Sequence, residues 1–405
     1  NQRLDFTLKE FCDVCEPYRE ENYNSTDLND LISYLKAYQI IVEIDGRLQF
    51  RQLYWVSYFV AYQMIDDQEF ANQILDEEKG IYNADLMDFY TGLNGKNNEV
   101  VEKVVSVLAT LRESVFNRVG IDEEFDPFKD IKWRLNESKA GITQETLEKQ
   151  VKESRMPDEI KEAVADRAFD SVRPYTQQIT KFFDDYDVKN LMDLLTSASR
   201  MLRNSEFISA KNKQDLSSGI LQGWEVLMRV LFYISPLMAK TGFAGMGGAK
   251  FKLTDTFPKD YAECLKHIII SMPFNIIAWY KNDFYSDKLI PLLTKEYLYT
   301  SENDLIRHLV ALIICDARPK DFKKLLSPYI RTIGKNTYYL GNLYTTLRYN
   351  YQFDFMKSYE LEQTSDLIKA CFVKHNTGSF MPGDDKINQF DRLHGELPNR
   401  KDIED

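Results

Sequence analysis

Cysteine is scarce in this sequence. The 405 residues include 5 Cys, an odd number, and apart from Cys12 and Cys15 they are widely scattered. This usage excludes a disulfide framework and indicates a reducing compartment, so a cytoplasmic location is expected. Cys12 and Cys15 form a C-x-x-C pair, but a structural zinc site needs four ligands and no second pair follows. We interpret the pair as part of one buried helix face, with metal or redox use as the alternative.

Long apolar runs are also absent. The strongest candidate, Ile268 to Tyr280, is short and is interrupted by Pro273 and Asn275, so neither a membrane-spanning helix nor a membrane partner is expected. The first residues, N-Q-R-L-D-F, lack the apolar core of a signal peptide. No Met stands at residue 1, and we therefore expect the chain to be a fragment of a longer protein.

The sequence has no surplus of positive charge. Its 51 Lys and Arg residues are outnumbered by 63 Asp and Glu residues, which gives a formal net charge of -12. Such an acidic chain is poorly suited to unspecific binding of a phosphate backbone or an anionic membrane. With 44% hydrophobic and 28% charged residues, the composition is that of a soluble protein with large cores, and the length predicts two or three domains.

Recognisable catalytic and metal-binding patterns are missing. No histidine lies in an H-E-x-x-H motif, although the chain has four of them: His267, His308, His375 and His394. Cys371 and His375 share a helix face at i and i+4 without a third ligand. The run from Phe182 to Asp187 holds three carboxylates that could bind Mg²⁺, but Asp187 is better explained as a helix cap. We therefore expect no catalytic and no metal-binding residues in this chain.

A glycine-rich stretch, A-G-M-G-G-A-K, runs from Ala244 to Lys250. Successive backbone N–H groups in such a loop can form an anion-binding nest, which would involve Gly245, Gly247, Gly248 and Lys250. The stretch is not a P-loop, because the G-x-x-x-x-G-K-[ST] spacing and a preceding strand are missing. A flexible connector is the favoured interpretation and anion binding is the alternative. An enzyme site assembled from scattered residues around Gly245 and Lys250 is a further hypothesis.

The clearest pattern in the chain lies between Tyr38 and Tyr62. Apolar residues alternate on both sides of Asp45 and Gly46, at positions 40, 42 and 44 before the pair and at 48 and 50 after it. Asp-Gly between two alternating runs is a strong hairpin signal, because a type I′ turn needs φ > 0 at both central residues. After Phe50 the apolar spacing becomes helical, so the sequence predicts a β-hairpin followed by a helix.

Helices also precede this hairpin. The first is predicted from Phe6 to Tyr18, and the second is capped by Thr26 or Asp27. Helix, helix, β-hairpin, helix is the order of a winged-helix unit. The pattern beyond it consists of consecutive helices with short loops, which predicts a mainly α fold: an N-terminal winged-helix-like unit with one β-hairpin, followed by an irregular α-helical array.

The predicted domains follow from changes in composition. They are a winged-helix-like unit (1–80), a helical extension (81–120), a charged helical linker (121–170), a helical sensor lobe (171–373) and a polar C-terminal tail (374–405). Disorder is the alternative for the linker. In the lobe, a helix beginning near Lys213 is predicted to end at Pro236, and Ser301 with Asp304 forms a predicted capping pair. Further helices are predicted around residues 261–271, 286–299, 302–315, 321–330 and 365–373.

Winged-helix units often bind DNA, with the helix before the wing in the major groove. Here Lys36 is the only basic residue of that helix, which also carries Asp27 and Asp30, and the wing tip contributes only Arg47. Useful affinity for DNA needs several phosphate contacts. We therefore do not expect a nucleic-acid partner, and a winged-helix DNA-binding regulator with a helical ligand domain remains the alternative function.

Phe50 to Ala61 reads F-R-Q-L-Y-W-V-S-Y-F-V-A. This stretch resembles the F-x-H-x-x-x-x-E-Y-F-x-A pattern that closes the winged helix of STAND-type NTPases, the signal-transduction ATPases that include NACHT and NB-ARC proteins. In that family the His of the pattern contacts the nucleotide β-phosphate. Gln52 stands at that position here and Ser57 replaces the Glu, yet an amide can still donate a hydrogen bond to a phosphate oxygen. The resemblance implies nucleotide-state sensing at Arg51 and Gln52.

The resemblance also implies a role for the whole chain. In this family a P-loop ATPase module precedes the winged helix and a helical sensor array follows it, and many bacterial members act in antiviral defence. The chain would then be a regulatory region in which the helical lobe binds a protein or small-molecule trigger and the winged helix relays the signal as a two-state rotation. Self-association is expected in the full-length protein. ATP and Mg²⁺, like catalysis, would belong to the upstream module, with no cofactor in this chain.

Overall fold

The computed structural model describes residues 5–76, 80–119, 126, 128–129, 131–133, 188–246, 249–254 and 257–400. Within these residues the chain is mainly helical, as the sequence predicts, with two small sheets. It divides into two compact units, Asn1–Asn97 and Asn98–Asp405. The boundary therefore differs from the predicted one at residue 80, and the predicted extension 81–120 is divided between the two units.

The first unit, called the wing unit below, has the topology of a winged helix. Its three-stranded antiparallel sheet has the order β1-β3-β2, and two helices separate β1 from the hairpin. The elements are β1 (Asp5–Phe6), α1 (Leu8–Glu21), α2 (Leu28–Ala37), β2 (Ile41–Ile44), β3 (Arg47–Phe50), α3 (Tyr54–Asp66), α4 (Gln68–Asp76) and α5 (Ala84–Leu93).

The β2–β3 hairpin turns where the sequence predicts it. Asp45 has φ 51° and Gly46 has φ 75°, so both central residues take the left-handed conformation that a type I′ turn requires. Ile44 and Arg47 are the paired residues that flank the turn. Asp27, one of the two predicted caps of α2, accepts hydrogen bonds from the backbone N–H groups of Asn29 and Asp30.

The third strand of this sheet was not predicted. The sequence predicts Phe6 as the start of the first helix. In the structure Phe6 lies in β1 instead and pairs with Leu48 of β3. Helix α1 begins only after Thr7, whose hydroxyl accepts from the backbone N–H of Glu10 while the Glu10 carboxylate accepts from the N–H of Thr7. This capping box fixes the change from strand to helix. The sheet and α2 enclose a small core centred on three buried residues: Ile32, Ile41 and Leu48.

The second unit, called the helical unit below, is an irregular α-helical array. Its long helices are α6 (Asn98–Val119), α7 (Val188–Asn204), α8 (Ala210–Thr241), α9 (Tyr261–Phe284), α10 (Asp304–Ala317), α11 (Phe322–Thr332), α12 (Tyr338–Phe353), α13 (Ser358–Thr377) and α14 (Gly383–Arg392). A 3₁₀ turn (Asp287–Leu289), one α-helical turn (Ile290–Leu292) and a π-helical stretch (Leu293–Leu298) connect α9 to α10, and a hairpin of β4 (Phe243–Met246) and β5 (Ala249–Lys252) follows α8.

Helix α8 is the centre of this array, and it packs against α6, α7 and α9. Trp224 of α8 is fully buried, and its ring lies 5.6 Å from that of Tyr280 and 4.9 Å from that of Phe284. Burial of rings this large supplies much of the stability of a helical core. The helix does not end at Pro236 as predicted but continues to Thr241, where Gly242 with φ 75° provides the left-handed cap.

Several other predictions for this unit were wrong. Helix α9 continues through Pro273 to Phe284, and α12 was not predicted at all. The cap of α10 is Asn303, not the pair of Ser301 and Asp304. The predicted polar tail is folded: α13 extends to Thr377, and α14 packs against it. Predictions for residues 134–187, including the carboxylate run 182–187, lie outside the described residues.

Candidate functional site

The basic side chains that a DNA-binding winged helix would need are paired with carboxylates. In α2, Lys36 Nζ lies 2.5 Å from Glu43 Oε2 of the neighbouring strand. At the wing, Arg47 Nε lies 2.5 Å from Asp5 Oδ2, and its Nη2 lies 3.4 Å from Glu10 Oε2. Both cations therefore face acidic groups of the unit itself, which reduces their attraction for phosphate.

The wing unit is also the acidic part of the molecule. Residues 1–97 contain 8 Lys and Arg against 18 Asp and Glu, a net charge of -10, so this unit accounts for most of the -12 of the whole chain. The helical unit is close to neutral by comparison. A field of this sign repels polyanions and attracts positively charged protein surfaces.

Helix α3 presents aromatic rings to solvent. Every residue of α3 is described, and only Ala61 and Met64 are buried. Tyr54 is 46% exposed, Phe59 is 43% exposed and Tyr62 is 52% exposed. The helix carries apolar residues nearly all the way round, so packing one side against α5 leaves another side uncovered. We use the name aromatic face for the five exposed apolar residues of α3 and its N-cap, Leu53, Tyr54, Phe59, Tyr62 and Ile65, of which Tyr54 also contacts Phe89 of α5.

The rings on and beside this face contact one another in a continuous row. Trp55 stacks on Phe59 with ring centroids 5.9 Å apart, and Phe59 lies 5.9 Å from Phe50 at the end of β3. On the other side, Tyr58 meets Phe89 of α5 edge-to-face at 5.6 Å. These contacts connect the half-buried rings to the exposed ring of Phe59, and exposed apolar patches of this kind often mark binding sites.

The predicted nucleotide-sensing residues lie at one end of the aromatic face. Arg51 and Gln52 form the turn between β3 and α3, and both side chains are exposed. Their backbones are fixed, since Arg51 N–H donates to the Ile40 carbonyl at 3.0 Å and the Gln52 carbonyl accepts from Trp55 N–H at 3.2 Å. The structure thus brings Arg51 and Gln52 beside exposed Leu53, while nucleotide contact stays a prediction.

The glycine-rich stretch forms a hairpin instead of the predicted connector. Gly245 and Lys250 are paired across strands β4 and β5, and Gly247 and Gly248 lie outside the described residues. Phe251 of β5 packs on Trp279 of α9 at 5.7 Å, which attaches the hairpin to the helical unit. Anion binding by these residues stays a prediction.

The two sulfur-containing pairs do not form metal sites with their neighbours. Cys12 and Cys15 are half-buried on α1, which has no buried residue, so the predicted buried face was wrong. Burial, together with the neighbouring Cys12, raises the pKa of Cys15 and disfavours the thiolate that metals and electrophiles require. Cys371 is fully buried, whereas His375 Nδ1 lies 3.0 Å from the Lys335 carbonyl. No group of three metal-ligating side chains occurs in the described ranges.

His308 is the one histidine with both ring nitrogens bonded to side chains in the described structure. Its Nε2 lies 2.8 Å from Asn342 Oδ1, an acceptor, so Nε2 carries the proton and Nδ1 accepts from the Tyr329 hydroxyl at 3.0 Å. Complete burial lowers the pKa of His308 to about 4, which keeps the imidazole neutral. Both ring nitrogens take part in hydrogen bonds within the core, so we interpret His308 as a structural residue.

Comparison of the chain with protein-family models, with curated proteins and with solved structures gave no match. Among the helices that the structure describes, none combines the length and the apolar character needed to cross a bilayer.

Proposed function

We propose that this chain is the regulatory region of a STAND-like signalling NTPase, and that its wing unit binds a protein surface through the aromatic face of α3. The helical unit binds the trigger, and the wing unit relays that event. The observation that carries the proposal is a set of exposed rings, Tyr54, Phe59 and Tyr62, joined through the half-buried rings of Trp55 and Tyr58, on a unit of net charge -10. Cytoplasmic antiviral defence is the setting that the resemblance of residues 50–61 suggests.

A protein partner fits this surface better than a nucleic acid does. Tyrosine and other aromatic residues are enriched at the centres of protein interfaces, where they bury a large area at a small entropic cost. Phosphate recognition needs cations, and Lys36 and Arg47 already contact carboxylates. The partner surface should combine an apolar patch with a basic rim, so that both the rings and the acidic surroundings are matched.

The partner to which we assign this surface is the P-loop ATPase module of the same regulator. ATP and Mg²⁺ bind to that module, and the exposed Arg51 and Gln52 lie at the edge of the aromatic face, from which they can report the state of the nucleotide. The chain itself supplies binding and conformational relay. Coupling then takes the form of two arrangements of the wing unit whose populations are set by the trigger and by the nucleotide.

The coding sequence upstream of the Asn1 codon and the ATPase activity of the chain test this assignment directly. The upstream sequence should encode a G-x-x-x-x-G-K-[ST] motif after a predicted strand. The purified chain alone should hydrolyse no more ATP than a heat-inactivated sample does. Turnover by the isolated chain, or an upstream coding sequence without a P-loop, would contradict the proposal.

Binding of the ATPase module tests the aromatic face. Phe59→Ser and Tyr62→Ser should each weaken the affinity at least about tenfold in calorimetry, because exposed interface aromatics are frequent hot spots. Tyr359→Ser is the matched control, since Tyr359 is 45% exposed but lies on α13 of the helical unit. The affinity of the unmodified chain should fall as salt is added. Equal effects of all three substitutions would rule out this face as the contact surface.

A further inference from the structure

A short stretch of the predicted linker is bound to the helical unit in the manner of a peptide ligand. Its described residues are 126, 128, 129 and 131–133, which we call the docked segment. It lies against the N-terminal end of α12 and the C-terminal part of α13, and we call this surface the α12–α13 groove. The groove is defined by Asn336, Tyr338, Tyr339, Gly341, Tyr344 and His375.

Backbone hydrogen bonds fix the register of the docked segment. Trp133 N–H donates to the Asn336 carbonyl at 2.8 Å, and Tyr338 N–H donates to the Ile131 carbonyl at 3.1 Å. Between them, Lys132 and Thr337 form an antiparallel bridge. Main-chain hydrogen bonds of this kind contribute affinity in recurring modes of peptide recognition.

Side-chain anchors add specificity to this pairing. Phe128 is 1% exposed, and its ring stacks on Tyr338 at 4.3 Å. The Trp133 ring lies 4.1 Å from the ring of His375 and 5.0 Å from that of Tyr344. Two aromatic anchors at a fixed spacing therefore occupy separate positions in the groove, as hot-spot residues of a ligand do.

Two features show that the groove is shaped for this ligand. A Cβ atom on Gly341 would lie 2.5 Å from the Trp133 ring, so the absence of a side chain at position 341 makes room for the indole. At the other end, the Tyr339 hydroxyl donates to Asp126 Oδ2 at 2.6 Å, which gives the groove a donor for a carboxylate. Such a hydrogen bond to a charged acceptor is stronger than a neutral one.

We propose that the α12–α13 groove is a peptide-binding site that the docked segment occupies in cis, and that a peptide carrying a carboxylate followed by two spaced aromatic side chains binds there in trans once the docked segment is released. The site belongs to the helical unit alone and does not depend on the function proposed for the wing unit. A tethered ligand is present at millimolar effective concentration, so it shields the groove until a competitor or a local change removes it.

Release of the docked segment by mutation makes the groove accessible to a defined probe. The variant is the full chain with Phe128→Ala and Trp133→Ala, and the probe is a fluorescein-labelled peptide with the sequence of residues 126–133, D-P-F-K-D-I-K-W. In fluorescence anisotropy the variant should bind this peptide at least tenfold more tightly than the unmodified chain does, since the latter is already occupied. The same peptide with Ala in place of its Trp should bind at least tenfold more weakly.

Two changes in the groove identify the site of binding. Gly341→Val in the released variant should abolish peptide binding, because the added side chain occupies the position of the indole. Tyr339→Phe keeps the ring and removes only the hydroxyl, so affinity should fall about tenfold for a peptide with Asp and little for one with Ala at that place. Circular dichroism checks that each variant is folded.

If the double variant does not fold, the single variant Trp133→Ala replaces it in the binding assay. This variant should fold, because Trp133 is only half-buried. It should bind the peptide with an affinity between those of the unmodified chain and the double variant. A folded released variant that does not bind the peptide would overturn the proposal. Binding that Gly341→Val leaves unchanged would overturn it equally.

Discussion

His308 illustrates how one buried side chain links stability to pH. Its two nitrogens are satisfied by Asn342 and Tyr329, an arrangement that requires the neutral imidazole. Protonation would place a hydrogen on Nδ1, where the Tyr329 hydroxyl already donates, and would leave a charge fully buried. The fold therefore favours the neutral form.

The pH dependence of unfolding should reveal this residue. The pKa of His308 is lowered from 6.5 to about 4 in the folded protein, so the unfolded chain binds the proton first as the pH falls. The contribution of neutral His308 to the free energy of unfolding is therefore complete above pH 6.5. It falls by up to about 3 kcal/mol as the pH drops towards 4. Urea titrations at several pH values measure how steeply the free energy of unfolding falls between pH 6.5 and pH 4. His308→Gln should make this fall less steep, whereas His267→Gln, at an exposed position, should leave it unchanged. The same pH dependence in His308→Gln and in the unmodified chain would contradict the role assigned to His308.

At the scale of the element, helices in this protein continue where local signals predict an end. Pro236 and Pro273 lie inside α8 and α9. A proline removes one backbone hydrogen bond and costs roughly 3 kcal/mol or more. Trp224 and Tyr280 bury large apolar surfaces on these same helices, and such packing offsets that cost. Proline is therefore a weak stop signal where the apolar face continues beyond it.

Helix α14 shows the opposite error: its polar sequence predicts a tail, but the segment is folded and packs against α13. Phe390 is 4% exposed, its ring meets Phe372 of α13 edge-to-face at 5.1 Å, and a Cβ on Gly395 would lie 2.4 Å from that ring. Lys386 Nζ lies 3.3 Å from Asp366 Oδ1, which joins the same two helices. One aromatic contact and one ion pair thus join the ten residues of this helix to α13.

The docking of α14 can be tested with two substitutions in the same helix. Phe390→Ala should lower the free energy of unfolding by about 3 kcal/mol, because it leaves a cavity beside Phe372. Ile387→Ala should cost less than about 1 kcal/mol, since Ile387 is 37% exposed. Chemical unfolding followed by circular dichroism measures both. Similar losses for the two variants would mean that α14 is not held by Phe390.

At the scale of the whole molecule, the net charge is distributed unevenly between the two units. The wing unit carries -10 of the net charge of -12, and its fold is one that often serves DNA recognition. Fold alone does not determine function, and here the electrostatics oppose the usual partner. The protein partner proposed for this unit would instead contact the aromatic face of α3.

The purified chain should therefore not retard duplex DNA in a gel, even at low ionic strength, where binding to phosphates is strongest. Glu43→Gln together with Asp5→Asn removes two of the carboxylates that pair with Lys36 and Arg47, so any residual affinity should increase in that variant. A salt-dependent shift with the unmodified chain would favour the alternative, a DNA-binding regulator.

The sequence by itself determined the features that depend on neighbouring residues. The turn at Asp45 and Gly46 was predictable because its geometry needs only two adjacent residues that tolerate φ > 0. The cap at Asp27 and the mainly helical character of the array are equally local, since caps and apolar spacing act within a few residues. The position of Arg51 and Gln52 directly after the hairpin was also predictable, because it follows from the local change in apolar spacing after Phe50.

Only the tertiary structure decided what depends on residues far apart in the chain. Strand β1 exists because Phe6 meets Leu48, and the docked segment is held because Trp133 meets Gly341 and His375. Helix α12 escaped prediction because its tyrosines and asparagines are weak helix formers, and packing around Tyr338 and Tyr339 stabilises it. Such long-range contacts leave no pattern in the local sequence, since either partner alone is compatible with many structures.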